Sequence, residues 1–424
     1  MDAPQTLAQK LLARAARRAH VAPGEIVDCD VDLAMFHDSS GPRRLKPMLE
    51  QLGTGIWDTS KVVLVMDHYV PEHDEESRRI VRIARDWAGE VGLPHVYDSQ
   101  GICHVVLPER GHLRPGMLAV GGDSHSPTGG AFGCYMFGIG STEMLGVLVT
   151  GRIWVRVPET LRMRWDGRLA DGVCAKDMML HMIGRFGMNG GDYQAVEYTG
   201  PAVRALGMAE RMTMTNMTAE LGAQVGLIAP DETTRAWLAG VGVDVAPDEL
   251  ERWQSDAGAP LRAEHAFDAG ALAPQVALPH SPANAHPVDA LRGERITLAY
   301  VGACTGAKLG DLRAAARVLQ GHRVADGVRL MVAPASLREQ AQAEAEGVMQ
   351  TLRDAGAELL PIGCGACAGF GDHIPDHSRV ISSTARNFRG RMGGTDTDVL
   401  LASPYTVAAS ALRGCVSDPR EVLA

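Results

Sequence analysis

Three cysteines constrain this chain more than any other feature. Val301-Gly302-Ala303-Cys304-Thr305-Gly306 and Gly363-Cys364-Gly365-Ala366-Cys367-Ala368-Gly369 each follow an apolar, strand-like run, 296–301 and 357–362, and each is rich in glycine. Cys364 and Cys367 can grip one metal centre from a single turn, whereas Cys304 joins them only if the fold returns a distant segment to the same place. Glycine at such points lets backbone come close to a bulky inorganic core. Three thiolates on a four-iron cluster leave one iron without a protein sulfur, and such an iron is a Lewis acid toward a hydroxyl or carboxylate. Spacing alone leaves other readings open: a structural zinc site completed by a histidine such as His373, a redox Cys-x-x-Cys, or three unrelated core thiols.

A chain of 424 residues exceeds one ordinary core, and roughly 150 residues per domain gives two to four lobes. Its net charge of −10 sets it against nucleic acid or an anionic membrane as partner, so a small anionic substrate needs a local basic pocket. Eight cysteines are too sparse for a disulfide scaffold. The first residues, Met1-Asp-Ala-Pro, carry no charged-then-apolar leader, and no apolar run reaches the ~18 residues of a spanning helix. A reducing, cytoplasmic setting is the expectation.

Leu7, Leu11, Leu12 and Ala15 recur at helical spacing after Thr6, a cap residue. Residues 25–36 alternate like a strand and end in His37-Asp38-Ser39-Ser40. The apolar run 61–66 reads as a strand buried on both faces and delivers Asp67-His68 at its end, where ligand sites of open α/β sheets lie. In the following turn a carboxylate can orient an imidazole and raise its basicity. Gly101-Ile-Cys-His104 places another histidine at a loop entrance, with Cys103 expected in the core, and Gly122-Asp123-Ser124-His125 opens the densest polar-glycine loop. No G-x-S-x-G elbow accompanies that Asp, Ser and His, and Gly138-Ile-Gly140 lacks a third glycine, which excludes a hydrolase elbow and a dinucleotide fingerprint. The expectation is that His68, His104 and His125 converge with Asp67 and Asp123.

The chain changes character near 160, and the expected lobes are 1–160, 161–290 and 291–424. Asn216 and Glu220 are expected one turn apart on the same face of a helix. Residues 254–290, rich in Pro, Ala, His and Asp, read as an extended linker. Arg386 and Arg391, close together in a glycine-containing stretch, suit bidentate capture of carboxylates.

Taken together, His37-Asp38, Asp67-His68, Gly101-Ile-Cys-His104, Gly122-Asp-Ser-His125, Thr215-Asn-Met-Thr-Ala-Glu220, Pro274-Gln-Val-Ala-Leu-Pro-His-Ser281, Cys304-Thr305, Cys364-x-x-Cys367 and Arg386-Asn-Phe-x-Gly-Arg391 resemble the aconitase superfamily, most closely the large subunits of its isopropylmalate dehydratase and homoaconitase branch. The resemblance covers nearly the whole chain. It implies three α/β lobes around a central [4Fe-4S] cluster held by Cys304, Cys364 and Cys367, with one iron not bound by cysteine. It implies a hydro-lyase acting on a small 2-hydroxy di- or tricarboxylic acid. In this likeness Asp67 and His68 help the hydroxyl leave, and His104, Asp123, His125 and Glu220 hydrogen-bond the water. His37, Asp38, Ser124, Asn216, Arg386 and Arg391 fall to the substrate and the loops around it.

The family's proton-abstracting serine sits in a Ser-Ser-Arg segment of a separate swivelling domain, and the expectation from the resemblance is that a small partner subunit supplies it. Three departures accompany the likeness: Ala303 and Gly306 stand where the family has Ser and Asn around the first cluster cysteine, and Ala385 stands where it has Asn before Arg386. Losing polar side chains beside a cluster shifts substrate choice or cluster lability. Homoaconitase or a substituted-malate or citraconate hydratase is therefore a rival to isopropylmalate isomerisation. Rivals of another class are an RNA-binding apo regulator, which the acidic charge opposes, and a zinc-bound structural subunit.

Overall fold

The computed structural model describes residues 3–370 and 374–423. His373, the suggested zinc ligand, lies outside the described residues. Among the described residues the strands form three main sheets and one two-stranded ribbon, and the fold is of the expected α/β class with parallel sheets.

The first sheet has five parallel strands in the spatial order His95–Asp98, Val62–Met66, Leu33–His37, Leu118–Gly121, Tyr135–Gly138. Val62 to Met66 are all fully buried, as a wholly apolar strand covered on both faces must be. Each such side chain contributes about 1.5–3 kcal/mol, and Leu64→Ala would cost about 2–5 kcal/mol. The order reverses between Leu33–His37 and Leu118–Gly121, which opens a crevice at their carboxyl ends. Glu75–Val91 covers one face; Asp74 caps it and Gly92 ends it in the left-handed conformation. The N-terminal helix Leu7–Ala15 carries the expected Thr6 cap, with Gln9 returning the hydrogen bond.

The second sheet has four parallel strands, Val225–Leu227, Ala195–Thr199, Thr160–Asp166 and Ala263–Asp268. The third has seven, in the order Ala285–Pro287, Gln275–Ala277, Asp398–Ala402, Arg379–Ser382, Leu298–Val301, Arg329–Val332, Ala357–Leu359. It too reverses, between Arg379–Ser382 and Leu298–Val301. Cys304, Cys364 and Ser383 all follow strands at this edge. Two switch-point crevices, one from the first lobe and one from the third, thus supply the two sides of the site.

Residues 254–290 correct the linker expectation. Ala263–Asp268 pairs along its length with Thr160–Asp166, and Gln275–Ala277 bonds antiparallel to both Ala285–Pro287 and Asp398–Ala402. Strands of three residues flanked by proline have no periodicity to betray them. Among the described residues no helix is long and apolar enough to cross a membrane.

Candidate active site

His37, Asp38, Asp67, His68 and Asp123 lie at or just beyond strand ends, where the sheet fixes their position, and His104 lies in the first turn of the helix Cys103–Glu109. Asp67 is buried; its Oδ1 lies 2.7 Å from His68 Nδ1, and its Oδ2 accepts the Cys103 N–H at 2.7 Å. An ionised carboxylate only accepts, so Nδ1 carries the proton and Nε2 is the ring atom available for chemistry. Burial alone would lower the His68 pKa, but Asp67, backed by Asp38 and Asp123, overrides it and holds the imidazolium up to about 9. His68 in turn outweighs the burial of Asp67 and keeps that carboxyl below its ordinary value. Asp38, fully buried, is raised by burial and by the charge of Asp67.

The second pair is His104 and Asp123, with Nε2 2.7 Å from Oδ1. The same oxygen accepts the His125 N–H at 2.7 Å. Burial would raise Asp123, yet His104 drives it well below its usual range. His125 Nε2 lies 3.2 Å from Glu220 Oε1, which also accepts Arg386 Nε at 2.5 Å. His37 stacks on His68, ring centroids 3.8 Å apart and 13° from parallel. Its Nε2 stands 3.6 Å from Asp123 Oδ2, which joins the two pairs.

Opposite lie the sulfurs. Cys304, Cys364 and Cys367 are buried, unbridged, and line one narrow cavity together with His68, His104, Asp123, His125 and Arg391. Burial pushes the Cys304 thiol up to about 12. Cys364 donates to Cys367, which raises the first thiol and lowers the second, with Arg391 adding to the stabilisation of the Cys367 thiolate. Asn216 Nδ2 donates to Cys304 Sγ at 3.3 Å.

The Cys304 loop is anchored from below by two buried lysines. Lys308 Nζ donates to the Cys304 carbonyl at 2.7 Å and to Thr213 Oγ1 at 2.9 Å. Lys176 Nζ donates to the Ser383 and Thr384 carbonyls, both at 2.6 Å. Ser383 Oγ accepts the Gly302 N–H at 2.9 Å and donates to the Gly302 carbonyl at 3.1 Å. A Cβ at Gly306 would lie 2.2 Å from Ser383 Oγ, so the missing side chain at 306 is enforced by its neighbour.

The residues singled out by sequence in the first two lobes gather here, but Asp38, Asn216 and Ser124 do so in unexpected ways. Asp38 does not reach substrate space: its oxygens accept the backbone N–H groups of His68 at 3.1 Å and Tyr69 at 2.7 Å, holding the loop. Asn216 is fully buried against Cys304 and Thr128 rather than at the mouth. Its expected helical partnership with Glu220 is also corrected, since the helix Met208–Met217 ends first and Glu220 lies in the following turn. Ser124 is exposed and, with Arg386, borders an open cleft beside Asp123. Sequence reasoning missed Lys176, Lys308 and Ser383. Lys176 shares its Met-rich stretch 173–183 with Asp177 and His181, so its burial leaves little sign in the sequence.

The sequence profile of the aconitase family (aconitate hydratase) matches residues 9–295 and 289–414. The chain belongs to the aconitase family. It is 42% identical over 428 residues to 3-isopropylmalate dehydratase large subunit 1 of Methanopyrus kandleri, covering 99% of this chain and 100% of that one. It is 39% identical to the probable methanogen homoaconitase large subunit of Methanothermobacter thermautotrophicus, over 98% of this chain and 97% of the other. The holo form of aconitase X from Thermococcus kodakaraensis is similar in fold, with a TM-score of 0.50 over 90% of this chain and 89% of that chain at 11% identity.

An aconitase-family chain is a hydro-lyase, and the family implies a [4Fe-4S] cluster. The residues present fit one. Three buried, unbridged thiols on one cavity are the soft donors that an iron-sulfur cluster takes. Around them Asn216 Oδ1, Tyr300 Oη and Arg391 Nε are buried without a hydrogen-bond partner among the described residues, the mark of a space that takes a further polar or charged group.

Proposed function

We propose that this chain is the large subunit of a hydro-lyase that dehydrates and rehydrates a small 2-hydroxy di- or tricarboxylic acid, with 3-isopropylmalate to 2-isopropylmalate isomerisation as the leading reaction. The convergence of three buried cysteines and the imidazole–carboxylate pairs on one cavity carries this reading. Cys304, Cys364 and Cys367 would hold the cluster and leave one iron without a protein ligand. Bound there, the cluster supplies Lewis-acid polarisation of the substrate hydroxyl and carboxylate.

The chain's own groups do the rest. His68, kept protonated by Asp67 at Nδ1, donates from Nε2 to the departing hydroxyl. His104, Asp123, His125 and Glu220 form a continuous hydrogen-bonded rim that holds the released water for re-addition. Arg386, at the cleft with Ser124, engages a substrate carboxylate. Arg391 balances negative charge at Cys367. Removing a proton beside a carboxylate needs a base on the other side of the substrate. We assign that base to the serine of a small partner subunit carrying the swivelling domain, in keeping with the full-length relatives being named large subunits.

A homoaconitase or substituted-malate reaction is the second reading. It is favoured by Ala303 and Ala385, which put small apolar surface on the cavity wall, and by the names of relatives at 39% and 42% identity. The test is anaerobic reconstitution with the neighbouring small subunit, followed by a panel of 2-hydroxy diacids and their unsaturated partners. The proposal expects turnover only with both subunits. Full activity from this chain alone contradicts the partner, and a colourless protein carrying one zinc and no iron contradicts the cluster.

A further inference from the structure

Tyr300 is the last but one residue of the strand Leu298–Val301 that leads into the Cys304 loop. It is fully buried, and its hydroxyl has no hydrogen-bond partner among the described residues. A phenol held away from water without a partner is costly, and natural cores rarely tolerate one that has no further role. Its surroundings show where that partner belongs. The ring borders a second cavity, distinct from the one the sulfurs line, with His68 and with Gly363, Gly365 and Ala366 of the Cys364 loop, and after burial the strongest influences on the hydroxyl are Cys367, Cys364 and Cys304. Gly302 makes room for it: a Cβ there would sit 2.2 Å from the ring and 2.3 Å from the hydroxyl oxygen. Ala385, one of the three positions where a polar family side chain is missing, shares a packed core with Tyr300 and Ala366.

We infer that the Tyr300 hydroxyl is a positioning donor that hydrogen-bonds a sulfur of the cluster held by Cys304, Cys364 and Cys367, standing in for polar groups lost from the loops around it. This rests on the cluster reading proposed above. A hydrogen bond to a cluster sulfur favours the more negative, reduced state and so raises the reduction potential.

The test is Tyr300→Phe, which keeps the ring and removes only the donor. Wild-type and variant full chains are reconstituted anaerobically, and the reduced cluster is titrated by electron paramagnetic resonance. The variant's one-electron equilibrium shifts about tenfold toward the oxidised cluster, a fall of about 59 mV. One exchangeable-proton coupling, seen by comparing water with deuterium oxide, disappears from its pulsed spectrum. The apo variant melts no lower than apo wild type, because an unpartnered hydroxyl has been removed; a ring with only a packing role would move neither potential nor coupling. An unchanged potential with all proton couplings retained overturns the inference while leaving the cluster in place. Failure of the wild-type chain to take up iron and sulfide, or a cluster that persists in Cys364→Ala, overturns the cluster reading and the inference with it.

Discussion

On the first-lobe side of the cavity the titratable groups are already paired, His68 with Asp67 and His104 with Asp123, each at 2.7 Å. On the third-lobe side three thiols, the Tyr300 hydroxyl and Arg391 Nε wait on something further. The difference follows from chemistry. An acid and an imidazole satisfy one another on folding, and the ion pair outweighs its own burial. Buried thiols cannot do so: Cys304 is pushed up to about 12, and only one of Cys364 and Cys367 ionises readily. The first half of the site is therefore preorganised by the chain alone, and the second is the half that the proposed cluster would complete.

Four variants probe that contrast. The largest effect is expected from Cys364→Ala, which removes one arm of the Cys-x-x-Cys: iron and sulfide content collapse and activity with them, while thermal unfolding of the apo chain barely changes. Unaltered iron content would place the cluster elsewhere. Asp67→Asn is next, since it removes the charge that keeps His68 protonated. It should lower kcat by about 10²–10⁴-fold with iron content intact. The same pair predicts that the wild-type rate falls as pH rises through about 9. The sign also holds for stability: His68 is raised above its ordinary 6.5, so its contribution is full below that value and lost as pH climbs through about 9. A rate that rises steadily past that point would remove His68 as the proton donor.

Lys176→Met tests the scaffold rather than the chemistry. It strands the Ser383 and Thr384 carbonyls that the ammonium now satisfies, and should cost the apo chain about 3 kcal/mol in urea unfolding. The smallest effect is expected at Glu109, far from the sulfurs, where burial raises the carboxyl to about 7 despite the hydrogen bond from Ser336. Its folded form favours the proton, so stability is greatest below about 4.5 and declines as pH rises through about 7. Glu109→Gln should flatten that decline without altering kcat; an unchanged pH profile would show that another group titrates there.

How much of this the sequence disclosed depends on what kind of signal each part leaves. Asp67-His68 and Asp123-Ser124-His125 were legible because an apolar strand ending abruptly in charge marks a sheet's carboxyl edge. Spacing left the cysteines open between a cluster, a zinc site and core thiols, and the motifs around them decided for the cluster. The short strands inside 254–290 were not legible, because Gln275–Ala277 and Ala285–Pro287 are each three residues long and the first of them takes its place beside Asp398–Ala402, more than 100 residues away. Glu220 was misplaced because nothing in the Met- and Thr-rich stretch announces that the helix closes at Met217. Lys176 and Lys308, read as letters, are surface residues; only the fold shows two ammonium groups under the Cys304 loop, each with its acceptors in place.

The most direct measurement is a Mössbauer spectrum of the iron-57 holoprotein, taken with its small subunit before and after addition of substrate. Three cysteines around a four-iron core predict one iron site in four whose signal changes with substrate while the other three stay as they were. A spectrum in which substrate leaves every iron alike, or a protein that holds no cluster, would contradict the account.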